Sequence, residues 1–154
     1  MTTMRSRRVQ LTGTIKIDLP PEDAFTLFTP SGERVWAEAW DPKFPSPPPD
    51  EIAPGTVFQT DHLGRPVIWT VVRSKPGRTI GYSMTRPGDR AGLVTVSCRP
   101  SAAGTTATVS YDMTALTPTA NVELDRFAAS FTQFLRHWEL SISHALDSRH
   151  LPGG

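Results

Sequence analysis

The stretch NVELDRFAASFTQFLRHWELSISHALD, Asn121–Asp147, sets the terms for everything before it. Leu124, Phe127, Phe131, Leu135, Trp138, Ile142 and Leu146 recur at intervals of three and four, while Asp125, Arg126, Gln133, Arg136 and Glu139 fall between them. That period belongs to a helix with one apolar stripe. Asn121 reads as its N-cap with Glu123 in the first turn, and no Gly or Pro intervenes before Pro152. The spacing therefore predicts one unbroken helix over Asn121–Asp147. Rings as large as Phe127, Phe131 and Trp138 need an apolar surface to pack on. The rest of the chain must supply it.

Working back from the helix, the pattern changes to period two. Thr105–Leu116, Ala91–Arg99, Thr79–Thr85, Val67–Arg73 and Thr56–His62 read as strands joined by short Gly- and Pro-containing turns. Connections this short make hairpins, not parallel crossovers. Further upstream, Val9, Leu11, Gly13, Ile15 and Ile17 alternate with polar residues as a first strand. Pro20-Pro21-Glu22-Asp23 opens a short helix, and Ser31 is placed to cap a second one running to Trp36. Between Asp41 and Gly55 the chain reads DPKFPSPPPDEIAPG, a proline-dense loop expected at a cavity mouth with Trp40 or Phe44 as its inward anchor. The order is strand, two short helices, five hairpin-linked strands, long helix. The fold class is α+β, with a curved antiparallel sheet of six or seven strands wrapped around the C-terminal helix.

The 154 residues suit one domain, expected over 9–147 between flexible tails at 1–8 and 148–154. Sixteen Lys and Arg against 15 Asp and Glu give a formal charge of +1, which argues against broad nucleic-acid binding. The basic residues Arg5, Arg7 and Arg8 read as a solvated tail. Cys98 is the single cysteine, so no internal disulfide forms. No signal-like segment opens the chain, and no run approaches the roughly 18 apolar residues of a membrane span. These features predict a cytoplasmic protein. Its oligomeric state stays open between monomer and dimer.

Motif-borne chemistry is sparse. His62, His137, His144 and His150 have no ligand spacing among themselves, and His137 and His144 lie two helical turns apart. No metal site is expected, and no cofactor, since Gly88 and Gly92 read as hairpin glycines and not as a phosphate loop. Cys98 reads as a small buried hydrophobe.

The element order, together with several local motifs, resembles the START-related (SRPBCC) superfamily and its helix-grip fold, in the polyketide cyclase and birch-pollen-allergen-like branch. The motifs are Gly13-Thr14-Ile15-Lys16-Ile17, Pro21-Glu22-Asp23-Ala24-Phe25, Gly32-Glu33-Arg34 with Trp36 and Trp40-Asp41-Pro42, Gly55-Thr56-Val57-Phe58, Thr70-Val71-Val72, Ile80-Gly81-Tyr82 and Thr105–Ala115. The closing helix completes a likeness that runs from about Val9 to Leu146. It implies a ligand cavity between sheet and helix. It does not imply one activity, because such relatives include lipid carriers, cyclases and co-chaperones.

Combined with alternation along the strands, this likeness nominates a pocket lined by Trp36, Trp40, Phe58, Trp69, Val71, Tyr82, Met84, Tyr111, Phe127, Phe131 and Leu135. Thr60, His62, Arg73, Thr95 and Asp112 are candidates to orient a ligand. Asp61 and His62 point to opposite strand faces and do not make an acid–base pair. His62 is the better proton-transfer candidate of the two. The partner expected is a small hydrophobic or aromatic, lipid- or polyketide-like molecule. A cyclase or aromatase working in the same cavity is the alternative, and a co-chaperone-like interaction module the third.

Overall fold

The computed structural model describes residues 6–149. Six strands form one antiparallel sheet in the order β1-β6-β5-β4-β3-β2. They are β1 (Arg8–Ile17), β2 (Val57–His62), β3 (Arg65–Lys75), β4 (Thr79–Arg86), β5 (Arg90–Ser101) and β6 (Gly104–Ala115). Strands β2 to β6 follow one another as hairpins. β1 instead pairs with β6, from Arg8 opposite Thr114 to Ile17 opposite Thr105. The segment from β1 to β2 therefore crosses to the far edge, carrying α1 (Pro21–Thr26) and a single 3₁₀ turn (Gly32–Val35). Buried Ile15, Ile17, Phe58, Val71, Ile80, Tyr82, Val96 and Val109 share one core cluster, as alternation requires of a sheet with one buried face.

Two glycines allow close approaches that shape the sheet and its cover. A Cβ at Gly92 would lie 1.9 Å from the Asp112 carbonyl oxygen on the adjacent strand. A Cβ at Gly32 would lie 1.6 Å from the Thr26 carbonyl oxygen, so only glycine lets the 3₁₀ turn sit on the end of α1. Ser31 does not cap that turn. Its hydroxyl donates to Glu51 at 2.6 Å instead.

The C-terminal helix is not unbroken. α2 (Pro118–Ala129) and α3 (Phe131–Arg149) meet at Ser130, which has left helical geometry at φ −107° and ψ 11°. The Ser130 hydroxyl donates to the Arg126 carbonyl at 2.9 Å and its N–H reaches the same carbonyl at 3.0 Å. A serine competing for the carbonyls of its own helix is a recognised cause of a bend. The start also differs: Thr117, not Asn121, is the N-cap, its hydroxyl accepting from the Ala120 N–H at 3.2 Å, with Pro118 at the first helical position. Asn121 lies inside α2 and accepts from the Arg7 N–H at 2.8 Å.

Three further expectations change. The first strand begins at Arg8, and Arg7 and Arg8 are held by Asp125 and Asp112 at 2.9 and 2.7 Å; residues 1–5 and 150–154 of the expected tails lie outside the described residues. The β2–β3 turn is tighter than the spacing suggested, with Leu63 and Gly64 both at positive φ, 52° and 78°. The proline-dense loop lies along the outer edge of β2, where Lys43 and Gln59 exchange two backbone hydrogen bonds of 2.8 Å. It covers a sheet edge, and none of its residues lines the cavity described next.

Candidate functional site

Several of the nominated pocket residues are packed core. Phe131 and Leu135 of α3 are buried beneath β1, where Gly13 lacks the side chain that would meet them. Phe58, Val71 and Tyr82 are likewise within the core, and the Tyr82 hydroxyl donates to the Phe28 carbonyl at 2.7 Å. None of these five expected lining residues borders the aromatic cavity; Phe131 and Leu135 border a separate groove between β1 and α3.

That aromatic cavity has a volume of about 470 Å³ and lies near the β4–β5 turn. Trp69, Met84, Tyr111 and Met113 line it from the sheet, Phe127 from α2, and Phe134 and Trp138 from α3. Trp36, Ala37 and Trp40 close it from the segment after α1. The rings brace one another: Trp36 and Trp138 lie 5.1 Å apart, Trp40 and Trp69 5.4 Å, and Tyr111 and Phe127 5.3 Å, all edge to face. Backbone carbonyls hold the indoles of the cover, with Trp36 donating to Leu27 at 2.8 Å and Trp40 to Pro30 at 2.7 Å. Of the sequence-nominated set, Trp36, Trp40, Trp69, Met84, Tyr111, Phe127 and His62 lie at this wall.

The polar members are Glu33, His62, Arg86, Arg90 and Glu123. Glu33 follows Gly32 in the 3₁₀ turn, so the close packing of that turn on α1 delivers its carboxyl to the wall. Loss of water raises that carboxyl well above the ordinary carboxylate range. Arg90 is buried and fully engaged, with Asp89 at 2.7 Å and Glu123 at 3.4 Å. Arg86 is half-buried, and desolvation followed by the nearby Arg90 charge lowers its proton affinity. His62 is exposed at the rim, and partial loss of water, then Arg86 and Arg90, lowers its pKa against the opposing Asp89 and Glu123. Burial raises the Tyr111 hydroxyl strongly.

Other nominated polar groups lie elsewhere. Thr60 is buried and accepts from the Trp69 indole. Arg73 is exposed on the outer face beside Thr95, because the register of β3 shifts between Val71 and Arg73 and reverses the alternation there. Asp112 is outside too, bound by Arg8. Burial pushes the Cys98 thiol up to about 11, leaving it inert at neutral pH. Among the described residues no three His, Cys, Asp or Glu side chains converge as a metal site needs, and no helix is long and apolar enough to cross a membrane.

Sequence reading missed Glu33, Ala37, Arg86, Arg90, Met113, Glu123 and Phe134, and left Trp138 out of the pocket. Glu33 and Glu123 look like ordinary first-turn acids, and Arg86 and Arg90 like solvated turn residues. For Phe134 and Trp138 a signal existed: they stand three and seven residues after Phe131, at helical spacing on or beside the apolar stripe.

A family model described as "Polyketide cyclase / dehydrase and lipid transport" matches residues 8–137. No curated protein matches the chain in sequence. Among solved structures, a protein from Mesorhizobium loti is 20% identical, with a TM-score of 0.67 over 93% of this chain and 100% of its own. CalU16 from Micromonospora echinospora is 18% identical, with a TM-score of 0.58 over 90% of this chain and 77% of its own. DynU16, a protein in the dynemicin biosynthetic locus, is 14% identical, with a TM-score of 0.62 over 87% of this chain and 47% of its own. At these identities the structural likeness concerns the fold.

Proposed function

The chain belongs to the polyketide cyclase / dehydrase and lipid transport family, and on that footing we propose that it holds a small hydrophobic, ring-containing molecule between its sheet and C-terminal helices. The aromatic wall carries this reading. Trp36, Trp40, Trp69, Tyr111, Phe127, Phe134 and Trp138 border about 470 Å³ of open space, where a solid core would have filled it. Sites for small molecules run from roughly 300 to 1,000 Å³ and combine apolar walls with a few polar groups. Rings on every side offer face and edge contacts to a flat guest. Mass spectrometry of the natively purified protein, with tryptophan-fluorescence titration of a polycyclic aromatic, tests the reading. A retained ring-containing molecule or saturable quenching is expected; the absence of both overturns it.

The state of Glu33 favours a second reading, a cyclase- or dehydratase-type enzyme using the same space. A carboxyl whose proton affinity is raised by loss of water is suited to acid–base work. In a dehydration it would give its proton to a departing hydroxyl, releasing water, and the carboxylate would take a proton from the neighbouring carbon. Both the acid and the proton count are restored. Incubation with an aromatic β-hydroxy ketone distinguishes the readings: loss of water that Glu33→Gln abolishes, with binding retained, identifies an enzyme. Binding with no mass change leaves the carrier reading.

A further inference from the structure

The β4–β5 hairpin closes on two arginines facing each other, Arg86 opposite Arg90. Like charges in directly opposed positions destabilise a sheet unless something neutralises them. Arg90 has its counter-charges in Asp89 and Glu123. Arg86 has no ion pair: its Nε is buried and makes no hydrogen bond, and among the described residues no carboxylate comes into contact with it. Asp89 and Glu123 favour its charge only from a distance, being bound to Arg90, and the loss of water and the repulsion of Arg90 outweigh them. A half-buried guanidinium without a partner is costly, and chains rarely keep one where an apolar residue would serve.

The position of Arg86 suggests what completes it. It lines the aromatic cavity and also an outer groove of about 650 Å³ formed with His62, Arg65, the start of α2, and Asp89 and Glu123, both of which Arg90 engages. Arg86 thus stands where the apolar interior meets a wetter opening. An amphipathic guest would place its rings among the tryptophans and its charged end at this boundary, at less desolvation cost than in the deep interior.

We propose that Arg86 is an anion-binding subsite of this cavity, and that the ligand is an aromatic molecule bearing a carboxylate, which its guanidinium grips by paired N–H donors. The proposal rests on the ligand-binding reading above and narrows it to one chemical class.

Naphthoate and naphthamide test it, being nearly the same shape and differing in charge. Calorimetric titration of the whole chain at neutral pH should give the carboxylate at least about a tenfold tighter Kd than the amide. Arg86→Gln should bring the two affinities together by weakening naphthoate alone, and Arg86→Lys should keep part of the difference. The melting temperature of Arg86→Gln should hold or rise, since an unpaired, half-buried charge has been removed; an arginine with a structural role would lower it. Equal affinities in the unmodified protein, or an unchanged ratio in Arg86→Gln, overturn the proposal while leaving the cavity reading in place. Failure of both compounds to bind at millimolar concentration overturns both.

Discussion

The Trp69 indole donates its Nε1–H to the Thr60 hydroxyl at 3.0 Å, tying the two strands of the β2–β3 hairpin together at the cavity wall. Thr60 is only 5% exposed, so its oxygen serves the tryptophan and is not offered to a guest. Thr60→Val keeps the shape and strands the indole N–H. It should cost about 1–3 kcal/mol in denaturant unfolding and alter the near-ultraviolet dichroism of the indoles. Unchanged stability would mean that water satisfies Trp69.

Phe131 and Phe127 occupy neighbouring turns on either side of the Ser130 break, yet face different surroundings. Phe131 is buried beside Gly13, with 3.5 Å between its ring and the position of an added Cβ there, whereas Phe127 borders open space. Phe131→Ala should cost about 3–5 kcal/mol and leave aromatic-ligand affinity nearly unchanged. Phe127→Ala should cost less, since contacts missing on one side cannot be lost, and should weaken binding. The reverse pattern would put the cavity under β1.

Glu33 gives stability a recognisable pH dependence. Its folded carboxyl is raised above the ordinary value of 4.5, so the folded state holds the proton where the unfolded chain has released it. Its contribution is complete below that value and is lost as pH rises toward the folded pKa. Glu33→Gln should therefore be more stable than the unmodified protein at neutral pH, the gap closing near pH 4.5 and below. The lowered carboxyls of Asp41 and Asp112 act in the opposite sense but are common to both proteins and cancel in the difference. Parallel curves would mean that Glu33 reaches bulk water.

His62 reports on the charge beside it. Burial, then repulsion from Arg86 and Arg90, lowers its pKa, with Asp89 and Glu123 opposing. Its nuclear magnetic resonance titration should have a midpoint below the ordinary 6.5, and Arg86→Gln should move that midpoint upward by removing one repulsion. A midpoint insensitive to Arg86 would place the guanidinium too far away to act on the ring.

Much of the architecture was legible because it is written in local pattern. Alternation along β2 to β6, turns of a few residues and the apolar stripe from Leu124 to Leu146 each concern residues close in the chain, and short connections leave little choice but hairpins. The cap at Thr117-Pro118 was equally local and readable. Ser130 was less so, since a lone serine within a strong helical period bends the chain only when its hydroxyl takes the carbonyls behind it.

The site was decided by contacts that no local pattern carries. β1 joins β6 across most of the chain, which closes the interior and puts Gly13 against Phe131 and Leu135. The register shift after Val71 turns Arg73 outward, because one extra residue in a period of two exchanges the faces. Glu33 and Arg86 look in sequence like solvated charges at the ends of short elements. What makes them chemical is the water they have lost, and desolvation depends on everything packed around a group, not on its neighbours in the chain. The sequence by itself determined the elements and the curved antiparallel sheet; the tertiary structure alone decided which of the nominated residues are packed core, which border the cavity, and which charges stand at its opening.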